Sequence, residues 1–114
     1  MAALNVAVIG LGWWGRIIVP LASTSQKLRI VRVADPAPAA AGFAAEQRLA
    51  LSPDLDEVLR DPQVQGVVLC TPHTQHTDQI IRAANAGKHV FCEKPLSLTR
   101  ADVLHAVEIG RAHV

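Results

Sequence analysis

Apolar residues are concentrated in four short runs that do not alternate regularly with polar residues. These runs occupy residues 4–9, 28–34, 66–70 and 89–92. Continuous apolar runs of this length are typical of strands that are buried on both faces of a parallel sheet. The segments between and after the runs show apolar residues at helical spacing or are rich in alanine, which predicts helices. The predicted helices cover residues 16–23, 38–49, 55–59, 77–86 and 98–111.

The alternation of strands and helices predicts an α/β fold. Right-handed crossovers between successive strands give a doubly wound, parallel, Rossmann-type sheet with helices on both faces. Pro20 interrupts the first helical segment, where we expect a bend or an irregular turn. We expect Ser52, Pro53 and Asp54 to break the chain before the short third helix.

A glycine-rich turn joins the first apolar run to the first helix. It has the pattern GxGxxG and consists of Gly10, Leu11, Gly12, Trp13, Trp14 and Gly15. In dinucleotide-binding folds the first glycine makes the tight turn, the second lets the backbone approach a pyrophosphate, and the third lets helix and strand pack closely. The following helix start offers backbone N–H groups and a positive dipole end to the phosphates. We therefore predict that this turn binds a dinucleotide.

An acidic residue at the end of the second apolar run supports this prediction. Asp35 lies 20 residues beyond Gly15, and a carboxylate there accepts hydrogen bonds from the adenosine ribose hydroxyls. Its charge repels a ribose 2′-phosphate, and the next three residues, 36–38, supply no cation, so we expect NAD rather than NADP. The alternative is a glycine-rich turn without a ligand, followed by a solvated aspartate.

Composition excludes several other classes of function. Lysine and arginine total 11 against 10 aspartates and glutamates, which does not favour a nucleic-acid or membrane-surface partner. No apolar run approaches the roughly 18 residues of a membrane span, and we expect a cytoplasmic protein. Cys70 and Cys92 form no CxxC pair and are expected to be reduced thiols in the core, and we predict no metal site.

Two later segments carry a resemblance to a known family. Residues 71–76 fit the pattern TPxxxH directly after the third strand, and residues 87–95 fit GKHVxxEKP. Together with the glycine-rich turn and Asp35, they resemble the N-terminal domain of the family of glucose-fructose oxidoreductase, inositol dehydrogenase and rhizopine-catabolism proteins. The resemblance covers essentially all 114 residues, which we expect to form one dinucleotide-binding domain.

The resemblance implies further site residues at the carboxyl ends of the strands. Thr71 would hydrogen-bond a ribose or a phosphate, Pro72 would offer a flat face to the adenine side, and His76 would line the cofactor site. The alternatives are strand termination for Thr71 and Pro72, and a helix-capping or solvated imidazole for His76. Glu93 would lie beside the cofactor and Lys94 would contact the substrate hydroxyl as the catalytic residue.

The resemblance also implies an activity. Family members transfer hydride between a nicotinamide cofactor and a hydroxyl-bearing carbon of a sugar, inositol or similar polyol, and some relatives are regulatory. The alternative is therefore a non-catalytic module that binds NAD. The usual proton acceptor is a histidine of a second, C-terminal α/β domain. We expect this chain to stop before that substrate domain, and we expect that an unpaired sheet edge favours a homo-oligomer.

Overall fold

A five-stranded parallel sheet forms the centre of residues 3–92, which are the residues that the computed structural model describes. The strand order is β3-β2-β1-β4-β5. This order and the parallel pairing confirm the predicted Rossmann-type fold. The strands are β1 (Leu4–Ile9), β2 (Leu28–Ala34), β3 (Ala50–Ser52), β4 (Gly66–Leu69) and β5 (His89–Cys92).

Four α-helices lie between these strands within the same described range. The first helix differs from the sequence prediction in two respects. The first helix begins at Trp13, not at Arg16, and continues through Pro20 without an irregular turn. Pro20 cannot donate a hydrogen bond to the carbonyl of Arg16, but the helix continues for two more residues to Ala22. The helices are α1 (Trp13–Ala22), α2 (Ala40–Glu46), α3 (Leu55–Leu59) and α4 (His76–Asn85), and the predicted helix 98–111 lies outside the described residues.

The short strand β3 corrects the sequence analysis, which predicted helix 38–49 and then a break at residues 52–54. The second helix ends at Glu46, and Arg48 follows with a positive φ of 56° that no α-helix continues through. The chain then pairs in parallel with β2, where Arg32 lies opposite Ala50. Three residues are too few to show a periodicity, so pairing with β2 defines this strand.

The sheet has an apolar core on each of its two faces. Ala7 and Ile9 pack with residues of α3 and α4, whereas Val8 packs on the other face with residues of α1 and α2. Neighbouring residues of β1 therefore enter different cores. This burial on both faces explains why the apolar run of β1 does not alternate with polar residues.

The chain adds strands on both sides of β1, which lies in the middle of the sheet. β1 pairs with β2 on one side and with β4 on the other, so the strand order reverses between β1 and β4. In open parallel sheets, a crevice forms at such a reversal, outside the carboxyl ends of the strands. The fold thus places the end of β1 and the end of β4 side by side at one crevice.

Candidate dinucleotide site

Two glycines of the turn after β1 are required by the backbone around them. Gly10 has a φ of +95°, and a Cβ atom added to it would lie 2.8 Å from the carbonyl oxygen of Cys70. A Cβ atom on Gly15 would lie only 1.9 Å from the carbonyl oxygen of Gly10. Any larger residue at either position would therefore push the start of α1 away from the ends of the strands.

Gly12 differs from these two because it borders open space. It precedes α1 as the N-cap residue with a φ of −77°, and a Cβ atom added to it would have no neighbour within 4 Å. Within the described part of the chain, no side chain caps this helix start. The N–H groups of the first helical turn are thus open to an anionic ligand. This arrangement fits the pyrophosphate of a dinucleotide.

Asp35 is oriented by two backbone hydrogen bonds. Its carboxylate accepts the N–H of Leu11 at 2.7 Å and the N–H of Ala37 at 2.8 Å. A carboxylate has about four lone-pair sites, so acceptor capacity remains for ribose hydroxyls. Asp35 therefore connects the end of β2 to the glycine-rich turn, and its position also fits the predicted ribose contact.

A crevice of about 620 Å³ brings several of the predicted residues together. This volume is in the range of small-molecule sites, about 300 to 1,000 Å³. The predicted residues in its lining are Gly10, Gly12, Asp35, Thr71 and Pro72. The crevice also has lining residues that the sequence analysis did not predict as site residues, among them Pro36, Pro53, Asp54, Leu55, Gln75, Gln79 and Arg82.

Thr71 belongs to a chain of hydrogen bonds at the end of β4. Its hydroxyl donates to Oε1 of Gln79, and Nε2 of Gln79 donates to Oε1 of Gln75 at 3.2 Å. A ring nitrogen of His76, Nε2, lies 3.0 Å from the backbone carbonyl oxygen of Thr71. Side chains of α4 and of the turn before it thus hold both the hydroxyl and the backbone of Thr71 in place.

Arg82 brings a positive charge to the crevice, but two carboxylates pair with it. Its guanidinium forms ion pairs with Asp56 and, at 3.2 Å, with Asp78. The hydrogen bond that Arg82 donates to the carboxylate of Asp56 is the main cause that raises the pKa of Arg82 above its usual value. The charge of Arg82 is therefore largely compensated by its own protein neighbours.

Several other predicted site residues within residues 3–92 are not in the lining of this crevice. Leu11 is buried, Gly15 packs behind the turn, and His76 is 1% exposed beneath Thr71. Trp13 is 79% exposed at the start of α1, with its ring centroid 5.9 Å from that of Trp14. Glu93 and Lys94 lie outside the described residues.

A second, smaller cavity lies on the α1 side of the sheet. It has a volume of about 330 Å³, and Trp14 and Phe91 are among its lining residues. Cys70 and Cys92 also line this cavity; both are partly exposed, and neither belongs to a disulfide. Cys70 packs against the core on the α1 side of the sheet, as predicted, and it also lines both cavities.

Residues 3–92 contain neither a group of potential metal ligands nor a helix that could cross a membrane. No group of three or more histidine, cysteine, aspartate or glutamate residues could hold a metal ion there. Among the helices of this range, none has the length and apolar character needed to cross a membrane.

Comparison with known families agrees with this geometry. The family model of the Gfo/Idh/MocA oxidoreductases, described as an NAD-binding Rossmann fold, matches residues 4–113. The chain belongs to this family. The match confirms the predicted family and fold. It also confirms NAD as the cofactor, because the matched domain of this family is described as NAD-binding.

Individual Gfo/Idh/MocA proteins align along most of the chain. The chain is 37% identical over 95 residues to inositol 2-dehydrogenase of Rhizobium meliloti, covering 83% of this chain and 29% of that protein. It is 31% identical over 113 residues to 2,7-anhydro-N-acetylneuraminate hydratase of Mediterraneibacter gnavus, covering 99% of this chain and 30% of that protein. The chain thus spans about a third of the length of these relatives.

Solved structures show the same domain. The structure of scyllo-inositol dehydrogenase from Lactobacillus casei with bound NAD(H) and scyllo-inositol matches with a TM-score of 0.90 and 27% identity. The match covers 97% of this chain and 34% of that chain. The likeness therefore extends over one domain of a longer relative.

Proposed function

We propose that this chain is the NAD-binding domain of an oxidoreductase that transfers hydride between NAD and a hydroxyl-bearing carbon of a sugar, inositol or similar polyol. The observation that carries the proposal is the shared crevice of Gly12 and Asp35. Open space beside a helix start suits the pyrophosphate, and an oriented carboxylate suits the adenosine ribose. NAD, when bound, supplies the hydride acceptor or donor.

Different residues of the described range would bind different parts of the dinucleotide. The N–H groups that follow Gly12 would bind the pyrophosphate, and Asp35 would accept hydrogen bonds from ribose hydroxyls. Pro72 would present its ring to the adenine side of the crevice. Gly10, Leu11 and Gly15 would act by holding the turn in shape, and Trp13 and Trp14 would flank the helix start.

Lys94 is our candidate for the catalytic residue, with Glu93 beside the cofactor. Removing a hydride from an alcohol carbon requires that the hydroxyl proton also leaves, and an ammonium group stabilises the developing alkoxide. The family resemblance supports this role for Lys94. The names of the inositol dehydrogenases among the relatives support a polyol as the substrate class.

We also propose a cytoplasmic location and self-association. Cys70 and Cys92 form no disulfide, which suits a reducing compartment. The short edge strand β3 and the exposed Phe91 of β5 are surfaces through which copies of the chain could associate.

Titration with NAD tests the binding function. Exposed Trp13 next to Gly12 provides a fluorescence signal. Gly12→Ala should lower NAD affinity at least tenfold with an unchanged thermal midpoint, because its methyl group would enter the space of the ligand and meet no protein atom. Gly42→Ala is the matched control, since a Cβ there also has no neighbour within 4 Å. Equal NAD affinity of the two variants would contradict the proposal.

Turnover by the intact protein separates the enzyme from a non-catalytic NAD-binding module. NADH formation should appear with at least one member of a panel of polyols and sugars. Lys94→Ala should lower this turnover at least a hundredfold while NAD affinity changes little, because general acid–base assistance contributes about 10²- to 10⁴-fold. The appearance of NADH also distinguishes a dehydrogenase from a hydratase, the reaction named for one relative. Unchanged turnover in Lys94→Ala would remove Lys94 from the mechanism.

A further inference from the structure

The polar side chains at the end of β4 form a connected and largely buried group. Gln79 is only 7% exposed and lines the crevice, and His76 beneath it is 1% exposed. A buried amide must satisfy both its donor and its acceptor, and Gln79 does so with Thr71 on one side and Gln75 on the other.

The Gln79 amide bridges Gln75 and Thr71. Nε2 of Gln79 donates to Oε1 of Gln75, and the hydroxyl of Thr71 donates to Oε1 of Gln79. A threonine hydroxyl has a single hydrogen, and here it is donated to Gln79. The hydroxyl oxygen of Thr71 then offers only lone pairs to the crevice.

The backbone of Thr71 is fixed by a separate contact. Nε2 of His76 lies 3.0 Å from the carbonyl oxygen of Thr71. Because His76 is the first residue of α4, the helix start and the end of β4 are joined directly. His76 therefore fixes the backbone of Thr71, and Gln79, itself bonded to Gln75, fixes its hydroxyl.

We propose that Gln79 is a positioning residue that keeps the Thr71 hydroxyl as a hydrogen-bond acceptor toward the crevice. This inference rests on the proposed NAD-binding function. It adds a statement of which chemical group of the dinucleotide can lie next to Thr71. A hydrogen-bond donor on the dinucleotide, either a ribose hydroxyl or the adenine amino group, is favoured next to Thr71. A phosphate oxygen is disfavoured there, because two acceptors would face each other.

A double-mutant cycle in this chain tests the coupling between Gln79 and Thr71. Gln79→Met removes the acceptor at similar volume, so the Thr71 hydroxyl can turn its hydrogen toward the crevice. NAD binding should then weaken about fivefold, the usual effect of losing one net hydrogen bond, here the one between NAD and Thr71. Gln63→Met is the matched control, since Gln63 is exposed on the loop before β4. In a Thr71→Val background, Gln79→Met should have no further effect. In a Thr71→Ser background, which keeps the hydroxyl, it should again weaken binding about fivefold.

Three ligands identify the donor. ADP-ribose contains both riboses and the adenine of NAD and lacks only the nicotinamide base. If Gln79→Met weakens NAD and ADP-ribose equally, the donor is in the part that they share, which supports the proposal; if it weakens only NAD, the donor is on the nicotinamide base, which contradicts it. Nicotinamide hypoxanthine dinucleotide replaces the adenine amino group by an oxygen. Weak binding of this analogue, insensitive to Gln79→Met, identifies the amino group, whereas binding that is as sensitive as that of NAD identifies a ribose hydroxyl.

Other results overturn it. If Gln79→Met behaves like Gln63→Met, or if the effects of Gln79→Met and Thr71→Val on NAD affinity simply add, Gln79 does not act through Thr71. Those outcomes leave NAD binding by the unmodified chain intact, so they differ from a failure of the proposed function. If the unmodified chain binds neither NAD nor ADP-ribose, the proposed function fails and this inference fails with it.

Discussion

At Gly10 and Gly15 an added methyl group would meet the backbone, whereas at Gly12 it would meet open space. The pattern GxGxxG predicted all three positions, but it did not distinguish a glycine required by the fold from one required by a ligand. That distinction depends on the approach of β4 and α1 to the turn, which only the folded chain provides. Substitutions at the two kinds of glycine should therefore affect different properties.

Gly15→Ala should destabilise the chain. Its Cβ atom would lie 1.9 Å from the carbonyl oxygen of Gly10, so α1 must shift, and overpacking of this kind costs about 3 kcal/mol of the free energy of unfolding. Urea denaturation measures the loss. Gly42→Ala, on the exposed face of α2, should instead stabilise by about 0.5 to 1 kcal/mol, because alanine favours helix over glycine. Similar unfolding midpoints for the two variants would show that the turn accommodates a side chain.

Asp35 illustrates a second limit at the scale of the residue. The spacing from the glycines predicted a ribose ligand, but it gave no indication that the carboxylate also accepts the N–H of Leu11. This contact joins residues 24 positions apart and follows from the pairing of β1 with β2. A sequence pattern can indicate the chemistry of a site residue without showing what else the residue holds together.

Among the elements, the strands that were predicted are those whose apolar runs have four or more residues and are bordered by turn residues. β1 and β2 have these runs because their residues enter cores on both faces of the sheet. The strand β3 has three residues at the edge of the sheet, and neither length nor period could indicate it. Its existence depends on long-range pairing and on the side chain of Arg32.

Arg32→Met should weaken the attachment of β3 and α3 to β2. The guanidinium donates to the hydroxyl of fully buried Ser52 at 2.6 Å and forms ion pairs with Glu57 at 3.1 Å and Asp61 at 3.4 Å. Loss of these partners should lower the free energy of unfolding by about 1 to 2 kcal/mol, measured by urea denaturation. Arg29→Met, at an exposed position of the same strand, should change it by less than about 0.5 kcal/mol. Equal effects would mean that the network contributes little.

For the molecule as a whole, the location of the site followed from topology. Strand ends that carry Gly10, Asp35 and Thr71 were expected to converge, and they line one crevice. The contribution of α4 was missed, although a signal existed. Gln75, Gln79 and Arg82 are spaced by four and three residues, which places them on one helical face, and all three line the crevice.

The charge distribution around the crevice gives a prediction for the whole domain. Asp35 is an acidic group in the lining, and the cation of Arg82 is paired with Asp56 and Asp78. The described lining therefore favours a ribose with free hydroxyls over one with a 2′-phosphate. Because a ligand at a given concentration stabilises the folded state more when it binds more tightly, thermal unfolding should separate NAD from NADP.

NAD at a hundred times its dissociation constant should stabilise the chain by about 2.7 kcal/mol, which raises the unfolding midpoint by about 10 °C for a domain of this size. NADP at the same concentration should raise it by much less, because Asp35 repels the added phosphate. Differential scanning fluorimetry measures both shifts, and Gly12→Ala should reduce the shift with NAD. Equal shifts with the two dinucleotides would mean that Arg82 exchanges its carboxylate partners for the phosphate, and that the charge of Asp35 does not select the cofactor.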